Sequence, residues 1–376
     1  MGYVLAARSV PTVLFILFGG VWADRLPRHM VMVASNVVSG ISQAMVAFLL
    51  LAGSAQIWEL VALSAVNGGS SAFFFPASQG LVPQTLPGRL LQQGNALLRM
   101  GQNTSLIFGA ALGGALVAAT SPGVTIAIDA GSFLVAAVVT AMMVPHSIAR
   151  SPRSSMLADL RVGWGEFWSR TWLWAIVLQF GVTNAAESGA INVLGPTVAK
   201  EHYGGAAAWG AILACQAVGL IIGGVFVLRV KPKRLLLFAT LSYLINVVFL
   251  FALAVPAALV LVAVAALISG AGREGFGINW DTAMQQQIPQ DRLSRVSSYD
   301  ALGSLVLIPI GLAVIGPISV AVGTQTALYA VSVIIVLATL AVLLSRGVRT
   351  IARKEQTSAD HLVPVTDLAE AALETD

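Results

Sequence analysis

Seven ionisable side chains within the long apolar stretches of this 376-residue chain are candidates for function: Arg8, Arg99, Asp129, Glu187, Arg273, Glu274 and Asp300. Ionisable groups are costly in such surroundings, so each is expected to move a proton, hold a charged ligand or neutralise an opposite charge. Glu187 is the most informative, because Asn184, Ser188 and Asn192 accompany it at spacings of three to five residues and form a polar stripe. A partly desolvated carboxylate there is placed either to exchange protons as a substrate moves or to sit in a fixed pair with an arginine. Residue types leave both open. Arg273 and Glu274 are neighbours on one helix and point about 100° apart, so each needs another partner or a water-filled cavity. Asp129 and Asp300 lie nearer the ends of their stretches, where a carboxylate caps or pairs. Arg8 and Arg99 suit either an anionic ligand group or those carboxylates. The run Phe73-Phe74-Phe75 before Pro76 lines a cavity or faces lipid.

Common enzymatic chemistries are missing from this inventory. The chain has no H-E-x-x-H, no G-x-S-x-G and no Gly-Lys dipeptide, the signatures of zinc proteases, elbow-type serine hydrolases and P-loop ATPases. His29, His146, His202 and His361 stand far apart, and the single cysteine, Cys215, rules out a disulfide framework or thiolate cluster. No catalytic residue, metal site, cofactor or ATP is expected, so any pumping must draw on an ion gradient or the substrate's own gradient.

The elements that position these residues follow from composition. Hydrophobic residues make up 57% of the chain and charged ones 10%, against about 25% charged in soluble domains. This is an all-α polytopic membrane protein. Eleven stretches approach the roughly 20 apolar residues a bilayer requires: 4–22, 31–53, 57–78, 97–119, 123–144, 172–198, 206–228, 234–254, 257–280, 298–320 and 324–345. Of the 21 Lys and Arg, seventeen fall in loops or tail on one side and Lys200 alone in a loop on the other. That asymmetry sets the cytoplasmic face and puts the C-terminus there. The net charge of +4 is therefore topogenic, and no nucleic-acid partner is expected.

An internal repeat organises the stretches. Gly20-Val21-Trp22-Ala23-Asp24-Arg25, closing the first, recurs as Gly224-Val225-Phe226-Val227-Leu228-Arg229 closing the seventh, and Arg89-Leu90 recurs as Arg292-Leu293. Five stretches map onto five others, while 172–198 maps upstream of Met1. The repeat thus predicts two pseudo-symmetric bundles of six helices with the first of twelve missing. The bundles are 1–144, with five helices, and 172–345, with six. Between them, 145–171 carries Leu157, Leu160, Trp164, Phe167 and Trp168 at helical spacing, with Asp159, Arg161, Glu166 and Arg170 on other faces, and predicts an interfacial amphipathic helix. The tail, 346–376, is basic then acidic and reads as cytoplasmic and mostly disordered.

Gly20-Val21-Trp22-Ala23-Asp24-Arg25-Leu26-Pro27-Arg28-His29 resembles the loop motif G-x-L-A-D-R-x-G-R-R that follows the second helix in the major facilitator superfamily, with Pro27 and His29 as departures. Ala130-Gly131-Ser132-Phe133-Leu134 after Asp129, and Trp280-Asp281-Thr282 through Gln285, Pro289 and Ser294-Arg295-Val296-Ser297-Ser298-Tyr299-Asp300, resemble the branch of enterobactin-type siderophore exporters and macrolide efflux pumps. The antiporter motif G-x-x-x-G-P-x-x-G-G is met at Gly109, Gly113 and Gly114 but has Ser105 and Ala110 elsewhere, and the R-x-x-Q-G motif is absent. The resemblance implies the major facilitator fold, in an inner (plasma) membrane. It also implies that Asp24 meets the N-terminus of the eleventh helix near Ser297 and Ser298, in a conformational latch with Gly20, Arg25 and Arg28. A topogenic turn with solvated charges is the competing reading. Gly109, Gly113 and Gly114 serve close helix packing or a hinge.

The function these readings support is secondary active export of a small amphipathic molecule, of drug or siderophore class, by proton antiport and rocking of the two halves. Its partners are the lipid bilayer, a small-molecule substrate and protons. A facilitator or importer of the same fold and a non-transporting membrane partner are the alternatives.

Overall fold

The computed structural model describes residues 2–143, 155–255 and 257–353. The first half comprises α1 (Gly2–Arg25), α2 (Arg28–Leu51), α3 (Ile57–Thr85), a short 3-10 turn (Gly88–Leu90), α4 (Leu91–Ala119) and α5 (Pro122–Ala141). After it come α6 (Met156–Trp168), α7 (Thr171–Gly189), a π-helical turn (Ala190–Leu194), α8 (Gly195–His202), α9 (Ala206–Arg229), α10 (Leu235–Leu244) and α11 (Asn246–Ala254). The remainder is α12 (Leu259–Gln287), α13 (Leu293–Leu305), α14 (Ile308–Val322), α15 (Thr324–Leu343) and α16 (Arg346–Thr350). Each of the eleven expected stretches is helical over most of its described residues. Eight spans among the described residues are long and apolar enough to cross a membrane by length and composition.

Local chemistry explains the ends. Ser121 and Ser155 cap α5 and α6 by accepting the N–H groups of Val124 and Ala158 at 3.3 and 3.1 Å. Gln56 and Glu59 form a capping box at α3. The structure departs from the sequence expectation where helices break or overrun. The stretch 172–198 contains the π turn just before Pro196, whose missing N–H removes a helical hydrogen bond. The stretch 298–320 divides before Pro309. α3 and α12 run on to Thr85 and Gln287, past the apolar residues, because their last turns hydrogen-bond to the opposite half.

Within the first half α1 packs on α3 and α2 on α3 and α5; within the second, α12 packs on α9 and α10, and α7 on α13, α14 and α15. The halves meet through α1 against α13 and α4 against α9. These two contacts are equivalent under the repeat, since α1 recurs as α9 and α4 as α13–α14. Two expectations change. The tail is not disordered from its start: Ala352 pairs with Arg234, the Arg353 N–H donates to the Lys233 carbonyl at 2.9 Å, and Arg353 Nη1 reaches Gln92 Oε1 at 2.5 Å. Residues 354–376 lie outside the described residues. A Cβ added at Gly109 or Gly113 would meet no described atom within 4 Å, and the surroundings of Gly114 are outside the description.

Candidate functional site

Two polar clusters lie along the seam between the halves. The first is at the basic end. Asp24, at the end of α1, accepts Arg28 Nη2 at 2.7 Å on one oxygen, and on the other both Nε (2.9 Å) and the backbone N–H (3.3 Å) of Arg295. Arg295 lies in the first turn of α13, where unpaired N–H groups and the helix dipole favour a carboxylate. The Asp24 and Arg28 side chains are only 2% and 3% exposed, and Arg28 also donates from Nη1 to the Gly80 carbonyl at 2.6 Å and from Nη2 to the Gln290 carbonyl. Gly20 and Gly80 admit this closeness. A Cβ on Gly20 would stand 2.8 Å from the Ser294 carbonyl and 3.0 Å from the Arg295 Cα, and Ser298 Oγ also faces it.

Arg25 is turned away from this carboxylate. Its Nε donates to Asp159 of α6 at 2.8 Å, and Arg295 reaches the other Asp159 oxygen at 3.2 Å. The charged face of α6 is therefore docked on the seam. The expectation of an interfacial helix changes accordingly: Phe167 is buried, while Leu157, Trp164 and Trp168 remain exposed. Glu166 receives Arg292 at 2.7 Å and Arg170. Partial burial pushes its carboxyl up, but the hydrogen bonds from Arg292 and Arg170 outweigh it and hold the group below the usual carboxylate range.

The second cluster lines a cavity of about 620 Å³ whose walls come from α7 and the π turn, α9, α10, α12 and α13, with Phe75, Arg99 and Asn103 from the first half. Glu187 accepts Arg273 on one oxygen and the Tyr243 hydroxyl at 3.0 Å on the other. Glu274 accepts Asn103 across the seam at 3.0 Å. Arg99 reaches Asp281 at 2.8 Å, also across the seam. Asp300 accepts the Trp280 indole at 3.1 Å and the Ser304 hydroxyl at 3.3 Å. Phe75, Arg99, Trp280 and Asp300 are shared with a second cavity of about 530 Å³ toward the basic end. Below it, Asn95 and Gln285 exchange amide hydrogen bonds at 2.8 and 3.1 Å.

Of the expected residues, Glu187, Asn184, Arg99, Arg273, Glu274 and Asp300 line one cavity. Asp129 is exposed on α5 and away from it, and the side chain of Arg8 lies outside the described residues. Asp300, placed by sequence near a span end as a cap or pair, sits instead on the cavity wall, because α13 extends well beyond the apolar stretch toward the basic end. Asp281, Tyr243, Asn103, Asp159 and Arg295 were not singled out as partners. Only Asp281 left a readable sign: it follows Glu274 by two helical turns and so shares its face.

The family model described as the Major Facilitator Superfamily matches residues 1–303. An MFS-type transporter of Bacillus subtilis, YfiS, is 29% identical over 139 residues, a match spanning 37% of this chain and 32% of that protein. The multidrug efflux pump Tap of Mycolicibacterium fortuitum is 25% identical over 361 residues, covering 91% of this chain and 86% of Tap. In fold, the chain is similar to the crystal structure of a bacterial homologue of the iron transporter ferroportin in the outward-facing state. That likeness has a TM-score of 0.70 at 18% identity, with 91% of this chain and 89% of that one covered.

Proposed function

The chain belongs to the Major Facilitator Superfamily, and on that premise we propose that it is a secondary exporter of a small amphipathic molecule, driven by proton antiport. Eleven helical segments cross the inner membrane with the basic end cytoplasmic. The observation that carries this reading is the buried cluster Glu187–Arg273–Tyr243 in a cavity whose wall also includes residues of the first half. A carboxylate that can release its arginine when protonated links proton uptake to the vacancy of the cavity. The Asp24–Arg28–Arg295 contact is the latch that holds the halves together on the cytoplasmic side, and opening to that side requires breaking it. The similarity to an efflux pump over 91% of the chain supports export over import.

The test is efflux driven by a pH gradient in proteoliposomes, over hydrophobic cations, macrolides and siderophores. Glu187→Gln is expected to reduce coupled efflux roughly tenfold, about 1.4 kcal/mol in barrier, while substrate equilibration without a gradient persists. Equal coupled rates in both proteins remove Glu187 from coupling. Substrate equilibration that a pH gradient neither drives nor reverses favours a facilitator.

A further inference from the structure

We infer that the cavity takes an amphiphilic organic monocation with aromatic substituents, its charge between Glu274 and Asp300 and its body against Phe180, Phe276 and Trp280. This rests on the transport reading above and specifies its substrate.

Charge bookkeeping comes first. Two arginines and four carboxylates surround the connected cavities. Arg273 is taken by Glu187 and Arg99 by Asp281, which cancels two of each. Glu274 and Asp300 remain, and among the described residues neither has a cation within ion-pair distance. With Glu274 and Asp300 ionised the cavity carries an excess of negative charge, and an anionic ligand at either arginine competes with a carboxylate already paired to it.

Glu274 adds a second observation. It is 2% exposed; its Oε2 accepts Asn103, while its Oε1 is buried and has no hydrogen-bond partner among the described residues. A buried carboxylate oxygen without a donor is expensive, and a ligand cation or donor in the cavity relieves it. Asp300, with only neutral indole and hydroxyl donors, keeps its charge available on the same wall.

The aromatic residues set the rest of the ligand. Phe180 and Phe276 stack with centroids 4.3 Å apart, Phe276 and Trp280 continue the wall at 6.0 Å, and Tyr243 closes on Phe180 at 4.7 Å. Phe75 from the first half lines the same cavity. Ring faces attract a diffuse organic cation and accept flat substituents. A compact metal ion suits them poorly, and among the described residues no three His, Cys, Asp or Glu gather into a metal-holding group. The volume of about 620 Å³ is that of a site for a drug-sized molecule.

Tetraphenylphosphonium and tetraphenylborate share a shape and differ in sign, so their equilibrium binding to the full chain in nanodiscs, corrected with empty nanodiscs, tests the inference. Saturable binding of the phosphonium is expected, with roughly tenfold or greater loss in both Glu274→Gln and Asp300→Asn. Partial recovery is expected in Glu274→Asp. Saturable borate binding as tight as that of the phosphonium, seen on the unmodified protein, overturns it whatever the variants do. So does phosphonium binding unchanged in both amide variants. Phosphonium binding with the expected charge dependence but no gradient-driven movement sinks the transport reading and leaves the ligand class standing. Gradient-driven efflux of neutral or anionic solutes without phosphonium binding does the reverse.

Discussion

In the second half α7 is enclosed by α13, α14 and α15, whereas in α4, which the repeat makes the counterpart of α13–α14, a Cβ added at Gly101, Gly109 or Gly113 meets no described atom within 4 Å. Gly181 and Gly189 of α7 lie so close to Gly303 and Gly311 that an added Cβ would stand 2.7 and 2.9 Å from the facing carbonyls. Gly101 and Gly109 repeat the spacing of Gly303 and Gly311, yet nothing described lies within 4 Å of either. The cores follow suit. Leu173, Ile176, Val177 and Leu194 join one large buried cluster in the second half, while the first half contributes, among the described residues, to small clusters around Ala72, Ala77 and Ala96. The seam is unequal as well: where the first half has Asp24, the repeated segment has Leu228, packed beside Ala96, Val227 and Ile278. The difference teaches that small residues confer stability only where a second helix occupies their face. The first half leans instead on charge at the seam.

The largest effect is expected at that charge. Replacing Asp24 by Ala leaves Arg28, 3% exposed, without its carboxylate and Arg295, 6% exposed, with Asp159 alone. Breaking one partner of a buried pair costs about 3–5 kcal/mol, so the thermal midpoint in detergent falls steeply. Leu228→Ala, at the equivalent position, removes part of a partly buried side chain and costs about 2 kcal/mol or less. Equal losses would abolish the distinction between a charged and an apolar seam.

A smaller loss is expected at the glycines. Gly311→Leu drives a side chain into the α7 backbone at Ala185 and costs about 3 kcal/mol, read as reduced folded yield and a lower midpoint. Gly109→Leu meets open space and is expected to stay within about 0.5 kcal/mol. A large loss from Gly109→Leu in the chain as it stands would mean that its face is already filled.

Apolar periodicity and length made the eleven helical stretches legible, and the repeat made the two halves legible, because both are local or translational properties of the chain. Helix breaks were less so: Pro196 and Pro309 mark two of them, but nothing in Ile245 announces the division of α10 from α11. The site was legible as a set of residues and not as a set of pairs. Arg99 with Asp281, Glu187 with Arg273 and Asp24 with Arg295 join positions on different helices whose rotation no single sequence fixes. The docking of α6 was hidden for the same reason, since its aromatic residues advertise a membrane interface while Asp159 and Glu166 decide where it rests.

The smallest expected effect separates those two carboxylates. Asp159 joins Arg25 of the first half to Arg295 of the second, whereas Glu166 holds only Arg170, beside it, and Arg292. Glu166 titrates in the folded protein below its unfolded value. Its contribution is therefore fully present above the unfolded carboxylate range, about 4.3, and is lost as pH falls through the lower folded value. Hydrogen exchange across residues 156–168 is expected to stay slow from neutral pH down to the ordinary carboxylate range, once corrected for the intrinsic pH dependence of exchange. It should quicken only below that range. Glu166→Gln removes this carboxylate's part of the acid step and, because Arg292 is well exposed, costs at most about 1 kcal/mol. Asp159→Asn at neutral pH is expected to release α6 more completely, since it loosens both halves at once. If Glu166→Gln frees α6 as fully as Asp159→Asn does, the helix is tied to the second half alone, and its part in joining the two regions is lost.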